Sequence, residues 1–189
     1  MPNFLTVGTK NVPPLTAWQK LKVVTRGCFD PIQIPWYGIL AGISQAANTE
    51  GGYGQGAEGY GKRYAAYAAD GTIENYFAQA FLPIMLHQDP RYFQMGKGGF
   101  THRTGYAVSR MFVTRSDSGH RQFNFSEVFG SGIAAAISTY SYHPQGDRTV
   151  SNTAKVWWTQ VGYDTFTVFL KEFWPDISRK LTRKKQAAR

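Results

Sequence analysis

Two short polar segments contain the residue types that phosphate-ester chemistry requires. The first has His120 in the sequence SGH, and the second has His143 and Asp147 in the sequence HPQGD. One histidine can attack a phosphate while the other acts as an acid, and an aspartate can orient the attacking ring. With Arg115 or Arg103 as the clamp for the phosphate charge, these residues form a candidate catalytic set for a phosphate-ester hydrolase.

The full pattern of lipid-phosphatase-type enzymes is only partly present. The chain has no Arg-Pro element, Lys97 and Arg103 are one residue too close, and STYSY replaces the arginine expected before the last histidine. Without that arginine the phosphoryl group lacks a main clamp. The alternative interpretation of RSDSGH is an interhelical turn, in which Asp117 and Ser118 hydrogen-bond to the backbone and Gly119 adopts a positive φ. We favour the turn.

The segment LHQDPRYF places three polar side chains directly after an apolar helix. Pro90 fixes the end of that helix, so some of His87, Asp89 and Arg91 face inward. The Asp89 carboxylate can pair with Arg91, and His87 can hydrogen-bond to a neighbouring loop. We expect these residues, together with Asp117, to form a structural polar cluster rather than a catalytic site.

The sequence shows no strong motif for a metal or a cofactor. His87, His102, His120 and His143 include no pair at helical i, i+3 or i, i+4 spacing, and Cys28 is the only cysteine,. The glycines of TEGGYGQGAEGYGKRY lack the Walker spacing and a preceding strand. They indicate a flexible loop that enters a short helix, so we predict neither a metal nor a cofactor.

The composition is that of one folded domain with a substantial core. The chain has 189 residues, of which 17% are charged and 15% aromatic. A low charge content and many rigid rings argue against disorder and suit a packed, partly interfacial protein.

The formal net charge of +9 comes mainly from the C-terminal end. Six basic residues lie in the last eleven positions: Arg179, Lys180, Arg183, Lys184, Lys185 and Arg189. A tail of this kind either binds an anionic partner or is simply solvated, and the binding partner that we expect is an anionic membrane surface. Nucleic-acid recognition is disfavoured, because the basic residues do not alternate with aromatic ones on a common platform.

Capping patterns and apolar periodicity predict five or six helices and no series of strands. Thr16 and Gln19 form a capping box for the first helix, which should run to about Thr25, and Asn124 with Glu127 caps a later one. Lys155 and Lys171 fall on the solvent side of the last helix. The expected ranges are 16–25, 36–48, 72–86, 101–113, 125–142 and 151–173, with WPD as the final stop. The predicted class is therefore all-α.

Small residues repeat every four positions on two of these helices. A stripe of this kind allows another backbone to approach closely. The residues predicted to pack in this way are Gly38, Gly42 and Ala46 on the second helix, and Ser126, Gly130, Ala134 and Ser138 on the helix after Asn124. The expected organisation is an extended segment over 1–15, a helical domain over 16–177 and a basic tail over 178–189.

Five segments resemble an uncharacterised family of bacterial proteins that are predicted to be exported to the cell envelope: VPPLTAWQKLK, GYGQGAEGYGKRY, LHQDPRYF, HRTGYAVSRMFVTRSDSG and LKEFWPDI. With their spacing they cover most of positions 11 to 177. The resemblance implies a helical protein with an export signal ahead of the proline-containing start. No signal peptide is recognisable in MPNFLTVGTKNVPPLT. We expect an envelope location if such a signal lies upstream and a cytoplasmic one otherwise.

Two functional hypotheses follow from these residues. The first is a non-enzymatic helical envelope protein, either associated with a membrane or a subunit of an envelope assembly, whose partner is an anionic membrane surface, another envelope protein or a second copy. The second is the phosphate-ester hydrolase. They differ because catalysis requires His120 and His143 to converge on one phosphate.

Overall fold

The capping box at Thr16 and Gln19 begins the first helix, α1, as predicted. The Gln19 amide donates to Thr16 Oγ1 at 3.3 Å, and the Thr16 amide donates to Gln19 Oε1 at 2.8 Å. These reciprocal bonds satisfy two backbone donors that a helix start leaves free. The helix continues three residues beyond the expected Thr25, to Cys28.

The computed structural model describes residues 6–8, 12–31 and 33–187. The described residues form six helices when α3 and α4, which a π turn joins, are counted as one, so the prediction of an all-α single domain is confirmed. The helices are α1 Ala17–Cys28, α2 Gln33–Ala46, α3 Gly56–Tyr76, α4 Leu82–Met85, α5 Phe100–Ser109, α6 Phe125–Ser141 and α7 Val150–Ala187. The strands are β1 Thr6–Val7, β2 Gln88–Asp89, β3 Tyr92–Phe93, β4 Val113–Ser116 and β5 Arg121–Phe123.

The glycine-rich segment is largely helical, which corrects the expectation of a flexible loop and of a helix starting at Thr72. α3 begins at Gly56 and continues through the π turn Phe77–Phe81 into α4. Arg63 is buried, and its guanidinium donates to the carbonyls of the preceding loop, those of Thr49, Glu50 and Gly54. A Cβ on Gly59 would lie 2.5 Å from the Gly54 carbonyl oxygen. Glycine is needed here for close approach, not for flexibility.

A buried lysine joins α1 to the segment that follows α4. Lys20 Nζ donates to the carbonyls of Pro83 and Gln88, at 3.1 and 2.8 Å, and to Asp117 Oδ2 at 2.8 Å. Three oxygen partners compensate for removing the ammonium group from water. Lys20 therefore fixes α1 against the short strands.

The described residues include five short strands, which the sequence did not predict. β2, β4 and β5 form an antiparallel sheet in that order, and β1 pairs with β3 in parallel. The predicted interhelical turn is thus a β-hairpin turn, in which Gly119 has the expected positive φ of 87°. Strands of two to four residues are too short to show an alternating pattern in the sequence.

The two predicted small stripes have different positions in the bundle. Ser126, Gly130, Ala134 and Ser138 are all buried on one face of α6. On α2, by contrast, Ala46 is exposed and the glycines are only half-buried. The predicted packing face of α2 is corrected, because the buried face of the helix is formed by other residues and Ile39 and Ile43 are exposed. Its buried residues are Tyr37, Leu40, Ala41 and Ser44.

We expect Gly130→Ala to lower the free energy of unfolding by about 1–3 kcal/mol, as overpacking does. The new Cβ would lie 2.6 Å from the Ala78 Cα and 2.8 Å from the Ala78 nitrogen, so the two helices would have to separate. Gly132→Ala is the matched control, because its Cβ would meet the Trp157 ring at 3.7 Å. That variant should gain stability through helix propensity. Urea unfolding of both proteins measures the difference, and equal stabilisation would contradict the prediction.

α7 does not stop at WPD, which corrects both the predicted helix end and the separate tail. It runs from Val150 to Ala187 through Pro175. A proline leaves the carbonyl four residues earlier without its helical donor. That carbonyl belongs to Lys171 and accepts a hydrogen bond from Gln94 Nε2. A side chain from a distant segment therefore supplies the donor that Pro175 lacks, and the predicted boundary at residue 178 falls inside α7.

Candidate functional site

The candidate phosphatase residues do not come together. His120 is exposed in the hairpin turn before α6, whereas His143 is buried just after the C-terminal end of α6. A helix of 17 residues separates them by about 25 Å. Arg103 forms ion pairs with Glu172 and Asp176 instead of facing either histidine. This placement does not provide the convergence on one phosphate that catalysis would require.

The residues of the predicted polar cluster form two separate contacts. Asp89 is buried and pairs with Arg91, whose Nη2 lies 2.7 Å from Asp89 Oδ2 and donates to the Pro13 carbonyl. Asp117 pairs with Lys20. The His87 side chain is 85% exposed. His87 therefore lies at the edge of the cluster. Asp117 joins the hairpin turn to α1 through Lys20, and Arg91 joins Asp89 of β2 to the segment before α1.

The basic tail is only partly within the described structure. Arg179 and Lys180 are exposed on α7, and Arg179 Nη2 lies 2.7 Å from Asp176 Oδ1. The side chains of Arg183, Lys184 and Lys185 lie outside the described part of the chain, as does residue Arg189. The described portion thus presents two basic side chains to solvent.

His143 has carboxylate partners that the sequence did not indicate. Its Nδ1 lies 3.1 Å from Glu50 Oε1, and its Nε2 lies 2.9 Å from Ser138 Oγ and 3.9 Å from Asp70 Oδ2. Ser138 and Tyr142 both donate to Asp70 Oδ1. Since the serine proton goes to Asp70, its oxygen is free to accept from the imidazole. This arrangement favours a doubly protonated ring.

A cavity of about 1020 Å³ lies between α2, α3 and α7 and reaches β4 and the start of α6. One wall is aromatic, since Trp36 packs edge-on against Tyr163 and stacks on Phe166. Tyr37 and Tyr67 also line it. Its volume lies at the upper end of the range for small-molecule sites.

Three carboxyl groups from different helices meet at this cavity. Asp164 of α7 lies close to Glu74 of α3 and to Glu127 of α6, and all three line the cavity. Burial, followed by repulsion from neighbouring carboxyls, raises the pKa of Glu74 and of Glu127 well above its usual range,. Neighbouring buried carboxyls repel each other when they are ionised, so this cluster holds protons that surface acids would release.

Lys171 lies beside these carboxyls, which corrects its expected position on the solvent side of α7. Burial lowers the pKa of its ammonium group, although Asp164 and Glu127 oppose that shift. Gln160, Asp164 and Lys171 share one face of α7, and all three line the cavity,. The spacing of Gln160 to Asp164, and of Asp70 to Glu74 on α3, is the sequence signal that could have indicated a polar interior face. Within the described residues, no group of three His, Cys, Asp or Glu side chains is arranged to hold a metal ion.

The outer face of α6 carries large apolar side chains. Phe125, Phe129, Ile133 and Tyr140 are all exposed, and Phe125 stacks on Phe129. They lie opposite the buried stripe of small residues, so the helix turns glycine and serine inward and aromatic rings outward. Phe123 of β5 extends the surface by packing on Phe125. We call these five residues the aromatic stripe.

Three arginines lie beside the hairpin end of this stripe. Arg115 and Arg121 are directly opposite each other in the β4–β5 pair, and such like-charged pairs repel. Burial, and then the charges of Arg121 and Arg115, lower the pKa of Arg110. In the described ranges no ion pair joins any of the three to a carboxylate. The cluster therefore offers unneutralised positive charge.

No protein-family model, curated protein or solved structure matches this chain. Over the residues that the structure covers, every helix falls short of the length or apolar character needed to cross a membrane.

Proposed function

We propose that this chain is a non-enzymatic helical protein of the cell envelope that lies against a membrane surface through the aromatic stripe. The observation that carries the proposal is the orientation of α6, with small and polar residues inward and Phe125, Phe129 and Ile133 outward. Inward-facing Ser126, 2% exposed, contrasts with Phe129, 57% exposed. An outward aromatic face is typical of helices that lie in the membrane interface. The envelope location rests on the family resemblance.

The position of exposed basic residues supports the same orientation of the protein, with the aromatic stripe against the membrane. Arg121 and Phe123 lie on the same face of β5, because strand side chains alternate, and both are exposed,. An aromatic ring next to arginine suits the boundary between acyl chains and anionic headgroups. The Arg110 and Arg115 guanidinium groups lie over Tyr106 and Phe93, so Arg121 is the exposed member of the three arginines.

We expect the double variant Phe129→Ser, Ile133→Ser to bind vesicles at least about tenfold more weakly than the native protein. The measurement is flotation with phosphatidylcholine vesicles, with and without phosphatidylglycerol. Trp18→Ser, Phe29→Ser is the matched control, because it removes two exposed apolar side chains near the ends of α1. Equal loss in both variants would contradict the role of the stripe. A protein that ignores vesicles and dimerises through α6 would favour a second copy as the partner.

The hydrolase alternative is less well supported, because its two histidines lie at opposite ends of α6. His143→Ala and His120→Ala should leave any phosphate-ester hydrolysis by the purified protein unchanged. A common loss of turnover in both variants would restore that alternative.

A further inference from the structure

The cavity between α2, α3 and α7 contains buried polar atoms that the protein does not satisfy. Gln160 is 5% exposed, yet neither its Oε1 nor its Nε2 has a hydrogen-bond partner among the described residues. Oε1 of Glu74 and Oε1 of Glu127 are likewise unpartnered there. All three side chains line the same cavity. Because unpaired buried polar atoms are unfavourable in a fold, these atoms indicate a site that a bound molecule completes.

The three carboxyls favour a positively charged molecule at their end of the cavity. Glu74, Glu127 and Asp164 supply these carboxyls, and Lys171 is the basic group whose charge acts on Glu127 and Asp164. Four more basic residues line the cavity: Arg91, Arg110, Arg115 and Lys155. The raised pKa of Glu74 and Glu127 reflects this crowding. A ligand cation among the three would relieve the repulsion and allow the carboxyls to ionise. Gln160 adds one amide acceptor and one amide donor on the same face of α7.

The aromatic wall restricts the kind of cation. Trp36, Tyr37 and Tyr163 line the cavity together with the carboxyls. Aromatic faces attract cations and also bury apolar groups, so the site combines the two surfaces that an organic ammonium compound presents. The volume of about 1020 Å³ accommodates an apolar body as well as the charged group.

We propose that this cavity binds a small organic cation, with its ammonium group among Glu74, Glu127 and Asp164 and its apolar body against the aromatic wall. The amide of Gln160 then pairs with polar atoms next to the ammonium group. This site goes beyond membrane association and does not depend on it.

The first test uses three probes of similar shape and different charge: 2-phenylethylamine, 2-phenylethanol and 3-phenylpropanoate. The anion is a stringent comparison, because Arg110 and Arg115 also line the cavity and could attract it. Calorimetry with the full chain should show the amine binding at least about tenfold more tightly than the alcohol or the acid. Equal affinity for amine and alcohol, preference for the acid, or no amine binding up to about 10 mM would overturn the proposal.

The second test removes one ionisable carboxyl at a time and keeps the shape of the side chain. Glu74→Gln and Asp164→Asn should each weaken amine binding about tenfold and leave alcohol binding unchanged. Glu58→Gln is the matched control on α3, since Glu58 is exposed and pairs only with Lys62 in the described structure. Its affinity for the amine should equal that of the native protein. Equal weakening in Glu58→Gln would mean that the amine responds only to net charge, which would overturn the site.

A third variant distinguishes a role of Gln160 in ligand binding from a role in the stability of the fold. Gln160→Met removes the unpaired amide, so it should fold at least as stably as the native protein but bind the amine more weakly. A stable Gln160→Met protein with native amine affinity would contradict a contact between this amide and the ligand. Failure of the vesicle experiment would leave all three tests unaffected, because they measure binding of a soluble probe inside the helical bundle.

Discussion

Replacing Arg103 with methionine should lower the free energy of unfolding by about 3–5 kcal/mol at neutral pH, because the buried Glu172 loses its cation. Glu172 is 0% exposed, and its Oε1 lies 2.8 Å from Arg103 Nε. The same guanidinium donates to the Glu172 carbonyl and pairs with Asp176. Methionine preserves most of the apolar stem of the side chain, so the loss measures the missing charge and hydrogen bonds.

The pH dependence of this variant identifies the cause. Burial alone would raise the pKa of Glu172, but hydrogen bonds from Arg103 and from the amides of Gly96 and Met95 lower it below its ordinary value of 4.5. A lowered pKa in the folded state stabilises the protein above pH 4.5, and the contribution is lost as the pH falls through the folded value,. The difference between native protein and Arg103→Met should therefore shrink in acid.

Arg179→Met is the control for this experiment. Its guanidinium contacts the same Asp176, but the Arg179 side chain is 69% exposed, so we expect a loss below about 1 kcal/mol. Urea unfolding from neutral to acidic pH measures all three proteins. A loss in Arg103→Met no larger than that in Arg179→Met would show that the ion pair with Glu172 contributes little.

The features that the sequence predicts well depend on residues close together in the chain. The capping box of Thr16 and Gln19 is complete within one helical turn. Gly119 also has a local cause, because a short turn between two strands requires a positive φ at one position,. In both cases the residues that stabilise the structure are neighbours in the sequence, so the pattern can be recognised without knowing any distant contact.

The features that the sequence does not predict depend on distant partners. Pro175 indicates a helix end only when the Lys171 carbonyl lacks a donor, and Gln94, 77 positions away, provides one. The glycine-rich segment is helical because Arg63 binds the carbonyls of the loop before it. Neither contact leaves a periodic or compositional signal at the helix it stabilises.

The cavity is difficult to predict for a related reason. A charged side chain on a single helix is normally assigned to solvent, and Lys171 fits that assignment when α7 is considered alone. Only the packing of α3, α6 and α7 brings Glu74, Glu127 and Asp164 together. Polar residues at four-residue spacing on two helices are the one local sign that an inward polar face exists.

We expect the free energy of unfolding to fall by about 3 kcal/mol between pH 6.5 and pH 9 through the titration of His143. Burial opposes the charged imidazole, but the nearby carboxylates of Asp70 and Glu50 prevail and raise the pKa of His143 from 6.5 to about 9. A raised pKa in the folded state gives stability that is fully present below pH 6.5 and is lost as the pH rises through about 9,.

His143→Gln should flatten this part of the stability profile, because glutamine can hydrogen-bond to the same oxygens but cannot carry the charge. His120→Gln is the control, since His120 is exposed and its replacement should leave the slope unchanged. Titration of the imidazole by NMR gives an independent measurement of the same equilibrium. A His143 ring that loses its proton near pH 6.5 would contradict the prediction. The neutral ring would then donate a proton from only one of its nitrogens, and His143→Gln would destabilise the protein equally at every pH.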